Sequence, residues 1–439
     1  MTVATGSELK PDLSNWNAEN PATWDPKRAW WTLTITTYTM FVSFSTWYVV
    51  SAVAPRLNEI GFALDPGQLY WIVAIPGLSA GLLRLVFMFL PPILGSRTLV
   101  VLSSLLLLIP LLGWTFAVRN SDTPFWVLMV LAFCAGIGGG TFSGFMPSTS
   151  YFFPKRLSGT ALGLQAGLGN FGISFIQLLT PWVVGFGLFG TAALTPQYSD
   201  AEGGYIWLHN GGLVLIPWVL LAAVVAFIYI RRVPVKANFR DQMDIFRLKH
   251  TWIQTVLYVM GFGLFSGLSA QTALLIKNLY GGPAAGGPNG MLFAFIGPAI
   301  GALVRAAWGP LCDKFGGGVW TLTGAIGMLI GCVVTTIFLI PGDVAHFPGF
   351  ITGILIIFFF SGLVNAGTFK QMPTIFPKRQ AGGAIGFTAS IAAFGPFFVG
   401  ILLSTVGPVP FFIWSVILCA VCVWLAWWYY VRPGAEAKS

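Results

Sequence analysis

The sequence predicts an all-α membrane protein, twelve transmembrane helices in two pseudo-symmetric halves of six, on three observations. The composition is 56% hydrophobic and only 8% charged, with a mean hydropathy of +0.79. A soluble domain needs roughly a quarter of its residues charged to cover its surface, whereas a lipid-facing surface needs almost none. Apolar stretches of about 20 residues recur along the chain, the length a helix needs to cross the hydrocarbon core. The basic residues, finally, collect in alternate loops.

Taken in order, residues 1–28 are polar and mixed in charge and lack the basic start and short apolar core of a signal peptide. They are expected to form a cytoplasmic arm, with a composition that suits a partner-binding segment and a disordered tail equally. Breaking the rest of the chain at polar, Pro-rich and Gly-rich points gives spans at 29–55, 68–94, 97–118, 124–147, 157–186 and 206–231. A second set follows at 251–279, 289–312, 318–341, 347–373, 381–404 and 408–431. The expected organisation is therefore an N-terminal half over 29–231, a basic cytoplasmic linker over 232–250, a C-terminal half over 251–431 and a cytoplasmic tail over 432–439. Strand-type alternation is absent from the chain, which excludes a β-barrel.

With the N-terminus inside, 17 of the 23 Lys and Arg residues lie on the cytoplasmic side, three lie outside (Arg56, Arg119 and Lys277) and three lie in the membrane. This is the asymmetry of the positive-inside rule, and it fits an even number of spans in an inner membrane with both termini cytoplasmic. The formal net charge of +9 is thus a topology signal rather than a nucleic-acid footprint. The two halves also repeat: "FPKRLSGTALGLQAGLGNFG" from Phe153 and "FPKRQAGGAIGFTASIAAFG" from Phe376 are offset by 223 residues and match at FPKR, at three further glycines and at a phenylalanine. Parallel half-repeats place a substrate at their interface near mid-bilayer.

Three cations interrupt the apolar spans, Arg84, Arg305 and Lys370, while all fourteen carboxylates fall outside the spans as drawn. An ionised side chain near mid-bilayer costs several kcal/mol unless it is solvated or paired. Arg84 is in the second span and Arg305 in the eighth, two residues from the repeat offset. Two guanidiniums at similar depth on opposing halves describe a clamp whose missing partner is an anion. The competing reading has each arginine snorkel to an interface or bond backbone carbonyls. It suits Arg305 better than Arg84, which lies 13 residues, about 20 Å of helix, from Arg97. A guanidinium presents donors in a planar fork, which matches nitrate, nitrite or carboxylate, with phosphate also open.

Small residues around these cations argue for a tight site. Gly136, Gly140 and Gly144 recur at four-residue spacing, and the fifth span carries "GTALGLQAGLGNFG". Such spacing lets helices approach closely, and packing alone would also explain it. On the fifth span Gln165, Asn170 and Gln177 are the polar groups, and Phe142, Tyr258, Phe262 and Phe369 are placed to wall a narrow cavity. Cys134, Cys312, Cys332, Cys419 and Cys422 all sit in apolar runs and give no disulfide framework. His209, His250 and His346 fall in loops and suggest no metal site. No P-loop, catalytic Ser/His/Asp set or HExxH is present, so neither an ATP-driven pump nor an enzyme is expected, and no cofactor.

These motifs resemble the NarK-type nitrate/nitrite porters of the major facilitator superfamily over essentially all twelve spans. The resemblance is carried by "SAVAPRLNEIGF", "LLRLVFMFLPPILGSR", "FFPKRLSGTALGLQAGLGNFG", "IGPAIGALVRAAWGPLCDKFGG", "GTFKQMPTIF" and "GGAIGFTASIAAFG". It implies a secondary transporter of nitrate and nitrite, monomeric and embedded in membrane lipid, with Arg84 and Arg305 holding the anion and Asn170 touching it. Tyr258, Phe142, Phe262 and Phe369 would line and gate the pocket. Gly163, Gly167, Gly169, Gly172, Gly386 and Gly395 would be the glycines of the two signature helices, and Asp313 and Lys314 would belong to a cytoplasmic gate motif in "GPLCDKFGG". Other members carry an uncharged residue at the position of Lys370, and some have a long insertion between helices ten and eleven that is absent here. The short form resembles the subgroup associated with proton-coupled uptake.

Proton symport is the expected coupling mode, on the subgroup resemblance and Lys370, with nitrate/nitrite exchange as the alternative. Arginines that repel each other when the site is empty favour closure only around an anion, hence nitrate/nitrite exchange. Symport needs protons carried by a titratable group near the site, and Lys370 is the candidate, since a buried lysine can lose its proton near neutral pH. A transporter of small organic anions and a membrane sensor are the rival readings.

Overall fold

The computed structural model describes residue 13 and residues 16–188, 194–199, 201–231 and 243–439. Most of the expected N-terminal arm up to residue 15, and the linker over 232–242, lie outside the described residues. Within them the chain forms twelve long helices. α1 is Pro26–Val53. The others are α2 Pro66–Phe87, α3 Ile93–Ala117, α4 Phe125–Met146, α5 Ser158–Val183, α6 Asn210–Tyr229, α7 Lys249–Tyr280, α8 Gly290–Phe315, α9 Gly317–Phe338, α10 Val344–Ile375, α11 Gln380–Thr405 and α12 Pro408–Val431. These eleven are each apolar and long enough to cross a membrane. α1 is as long but studded with Ser and Thr, whose hydroxyls bond back to carbonyls of the preceding turn, as Thr36, Thr39, Ser43 and Thr46 do.

Several ends follow from local chemistry. Asp25 caps α1 through Arg28 N, with Pro26 at the first helical position. Asp65 and Gln68 close a reciprocal capping box on α2, again with a proline following the cap. Gly316 and Gly407, at φ +87° and +85°, provide left-handed turns between α8 and α9 and between α11 and α12. Between α5 and α6 a short antiparallel hairpin, β1 Gln197–Ser199 and β2 Gly204–Ile206, replaces the expected start of the sixth span, which begins at Asn210. α7 starts two residues earlier than expected, so His250 sits in its first turn beside the Tyr430 hydroxyl at 3.2 Å rather than in a loop.

The halves meet along two symmetric seams, α5 against α8 and α2 against α11. Glycine makes both close. A Cβ on Gly167 would lie 2.8 Å from Ala302 O and from Ala306, and one on Gly163 3.1 Å from Gly309 Cα, so both glycines serve the α5–α8 contact. Gly169 and Gly172 face α1, where Met40 at 2.7 Å and Phe41 O at 2.1 Å leave no room for a methyl group. Gly386 approaches Met88 beyond the end of α2, and Gly395 backs onto Gly263 O of α7. Gly136 and Gly140 pack α4 on Ser79 and Leu83 of α2.

The described part of the arm is docked. Trp16 and Trp24 donate their indole N–H groups to Tyr151 O and Phe152 O at 3.0 and 2.9 Å, satisfying carbonyls at the end of the helix that continues α4. A disordered arm was one expectation from its composition. The five tryptophans and phenylalanines gathered there, Trp16, Trp24, Trp30, Phe152 and Phe153, explain why these residues pack instead.

Candidate anion site between the two halves

Arg84 on α2 and Arg305 on α8 are 0% and 1% exposed at the centre of this interface. Arg84 donates through Nε to Gly139 O at 2.8 Å, in its own half, and through Nη1 to Ala389 O at 2.8 Å, on α11 of the other half. Ala389 is the repeat mate of Ala166 at the 223-residue offset. Arg305 donates through Nη1 to the Tyr258 hydroxyl at 3.2 Å. Arg84 Nη2 and Arg305 Nε and Nη2 have no partner among the described residues. On Arg305 those two atoms form one edge of the guanidinium, a pair of parallel N–H donors of the kind that binds two oxygens of a planar oxyanion.

Aromatic rings enclose both groups. The Arg84 Cζ lies 4.5 Å from the Phe142 ring centroid, 5.0 Å from Phe262, 5.5 Å from Trp47 and 5.9 Å from Phe44. The Arg305 Cζ lies 4.8 Å from Phe369, 5.7 Å from Phe142 and 5.9 Å from Tyr258. Ring faces stabilise a desolvated cation by about 2 kcal/mol or more, yet carry no formal charge to neutralise it. A π-helical turn at Val259–Gly263 interrupts α7 here, and Tyr258 and Phe262 on either side of its start lie parallel within 4° at 5.4 Å.

The structure thus brings Arg84, Arg305, Tyr258, Phe142, Phe262 and Phe369 into one cluster. Asn170 is buried on α5 with neither amide atom bonded, among the described residues. Trp47, Phe44 and the carbonyls of Gly139 and Ala389 join the cluster without having been singled out in the sequence. Backbone acceptors leave no mark in residue identity, and two aromatics among eighteen Trp and thirty-eight Phe offer no spacing signal.

Lys370 lies elsewhere. Its Nζ is 2.5 Å from Asp313 Oδ1 in the last turns of α8. The expectation that no carboxylate within a span could pair with a buried cation is therefore corrected: α8 runs past residue 312 to Phe315 and brings Asp313 with it. The same carboxylate crosses the interface, accepting from Gly159 N at 3.1 Å, Thr160 N at 2.8 Å and Thr160 Oγ1 at 2.8 Å, at the N-terminus of α5. Lys314 stays exposed and lies over Phe315.

Both approaches to the arginines are closed. At one end stands the Asp313 contact. At the other, Lys277 of α7 donates to Pro55 O at 2.9 Å and Glu59 Oε1 at 3.3 Å in the first half. Between that end and the site, Gln177 bonds Ser269 O and Tyr48 bonds Ser266 O across the interface at 2.7 and 2.8 Å. The conformation is occluded.

A two-half helical bundle closed at both ends around buried cations defines a membrane transporter, and the chain belongs to the Major Facilitator Superfamily, whose family model matches residues 36–395. Within that superfamily it belongs to the NarK-type nitrate/nitrite porters. It is 54% identical over 97% of both chains to the probable nitrate/nitrite antiporter NarK2 of Thermus thermophilus. To the nitrate/nitrite transporter NarU of Escherichia coli it is 33% identical, again over 97% of each chain. In fold it is similar to the proton:xylose symporter XylE, with a TM-score of 0.70 at 14% identity, covering 94% of this chain and 98% of that one.

Proposed function

We propose that the chain carries nitrate and nitrite across the cytoplasmic membrane by alternating access, holding the anion between Arg84 and Arg305. The observation that carries this reading is the set of three fully buried guanidinium nitrogens without a partner, Arg84 Nη2 and Arg305 Nε and Nη2, with no carboxylate paired to either arginine among the described residues. An unpaired buried charge is strongly destabilising, so the site is complete only with an anion in it. The free edge of Arg305 and the free Nη2 of Arg84 supply three donor nitrogens, enough to engage the oxygens of nitrate from both sides and to hold nitrite by the Arg305 edge. Tight glycine seams and stacked rings make the site narrow, which suits a small, flat ligand, and the names of the relatives agree.

For coupling, the geometry favours nitrate/nitrite exchange over proton symport. Lys370, the titratable candidate, is committed to Asp313 and does not contact either arginine. With no carboxylate, histidine or lysine at the cluster among the described residues, the anion itself is what neutralises the site and permits the closed state to be crossed, so each crossing carries an anion. The linker joining the halves is 232–250, on the cytoplasmic side with both termini and the Asp313 end. The test is nitrate entry into proteoliposomes, with an inward proton gradient or with nitrite loaded inside. Uptake that requires internal nitrite supports exchange. Uptake that follows the proton gradient and ignores nitrite establishes symport, and inhibition by formate or acetate with no nitrate movement points to an organic-anion carrier.

A further inference from the structure

Behind the π-helical turn of α7 lies a second concavity, a cleft of about 340 Å³ between α7, α11 and α12. Its α7 wall is Val259, Gly263 and Leu264, one position along from Tyr258 and Phe262, which face the arginines. Phe398 and Trp414, 57% and 47% exposed, stand at its rim. No charged side chain lines it, and its one polar side chain, Ser415, already donates its hydroxyl to Phe411 O at 2.9 Å.

Its volume is far above the roughly 10–15 Å³ that holds one water, but water needs two to four polar partners and finds none here. An empty cleft would forfeit the dispersion contacts of its whole lining. The rim is continuous with the lipid-facing surface of α12, where Ile413, Ile417, Val421 and Trp424 are exposed. We propose that this cleft is a binding site for one acyl chain of a membrane phospholipid, and that the chain buttresses the π turn that holds Tyr258 and Phe262 in place. Gly263 contributes to the cleft wall without a side chain: a Cβ there would sit in ordinary van der Waals contact with Val259 Cγ1 at 3.5 Å and Ala392 O at 3.7 Å. The site is separate from the anion site, and lipid occupancy is read without any transport measurement.

The experiment reconstitutes the full chain in vesicles doped with a phospholipid bearing a photoactivatable diazirine on its acyl chain, and maps labelled peptides after illumination. Label concentrated on α11 around Phe398 and Leu402 and on α12 around Trp414 and Leu418 is expected. Leu402→Trp and Leu418→Trp, two independent ways to fill the cleft from its half-buried rim, are each expected to cut that label about fivefold or more while leaving label on α3 and α6 unchanged. Wild-type transport is expected to vary with acyl-chain length and unsaturation, and transport by the filled variants to lose that dependence. Label spread evenly over all lipid-facing helices, or equal in folded filled variants, would overturn the proposal. So would protein–protein crosslinks through Trp414, which would assign the cleft to a second copy.

Discussion

Arg84 and Ala389 belong to opposite halves of the molecule and are joined by a 2.8 Å hydrogen bond from Nη1 to the carbonyl oxygen. The same guanidinium holds Gly139 O of its own half through Nε, so one side chain senses both halves at once. Among the described residues Arg305 hydrogen-bonds within its own half, to Tyr258. Arg84 is thus the residue whose bonds must change when the halves part, and Arg305 the one with the larger free edge for a ligand.

Arg84→Lys is expected to keep the charge and lose the two-way reach. A hydrogen bond to a charged group is worth about 1.5–3 kcal/mol, so exchange should fall by roughly ten- to a hundredfold. Nitrate counterflow in proteoliposomes measures it, and a wild-type rate would dismiss the tether.

Tyr258→Phe leaves the ring stacked on Phe262 and removes the one hydrogen-bond acceptor that Arg305 has among the described residues. The expected result is about a tenfold loss in apparent nitrate affinity with little change in thermal stability, checked by concentration dependence of uptake and by melting of the purified protein. Loss of fold instead of affinity would mean the hydroxyl serves packing.

Gly167→Ala places a methyl group 2.8 Å from Ala302 O, backbone that cannot swing aside. A cost of about 1–3 kcal/mol is expected in the α5–α8 seam, read as a lowered melting temperature and slowed exchange. Gly204→Ala, at a site with nothing within 4 Å, is the control that should melt like wild type.

Asp313→Asn weakens the contact with the N-terminus of α5, and neighbouring Cys312, fully buried in the occluded form, becomes the reporter. In a Cys134→Ser background, faster labelling by a membrane-impermeant thiol reagent from the Asp313 side is expected. Lys370→Gln is expected to retain nitrite-driven nitrate entry. If that variant loses proton-dependent uptake instead, Lys370 carries the proton after all.

Charge in an apolar run is the loudest signal such a sequence can give, and it is why Arg84 and Arg305 were legible before any coordinates. Helix count and the position of the repeat were legible for the same reason: hydropathy and glycine spacing are properties of single segments. What escaped depends on partners far apart in sequence. Lys370 and Asp313 meet across 57 positions because α8 extends a turn beyond its apolar stretch. The π turn at Val259–Gly263 inserts no unusual residue, and the docking of Trp16 and Trp24 needs the end of α4 as its receptor. The six signature glycines were expected from the resemblance alone; the contacts of Gly163, Gly167, Gly169, Gly172, Gly386 and Gly395 are with other helices and their side chains.

The aromatic cage around the two guanidiniums carries one more consequence. Phe44, Trp47, Phe142, Phe262 and Phe369 offer no lone pairs and few polar atoms, so an ion that enters must leave its hydration shell outside and recovers only what the fixed N–H groups return. Anions that hold water loosely give up little; fluoride and sulfate give up a great deal. Competition against nitrate should therefore rank foreign anions by ease of dehydration as well as by shape, with chlorate ahead of chloride and fluoride last, so that the lining acts as a filter before any donor is engaged.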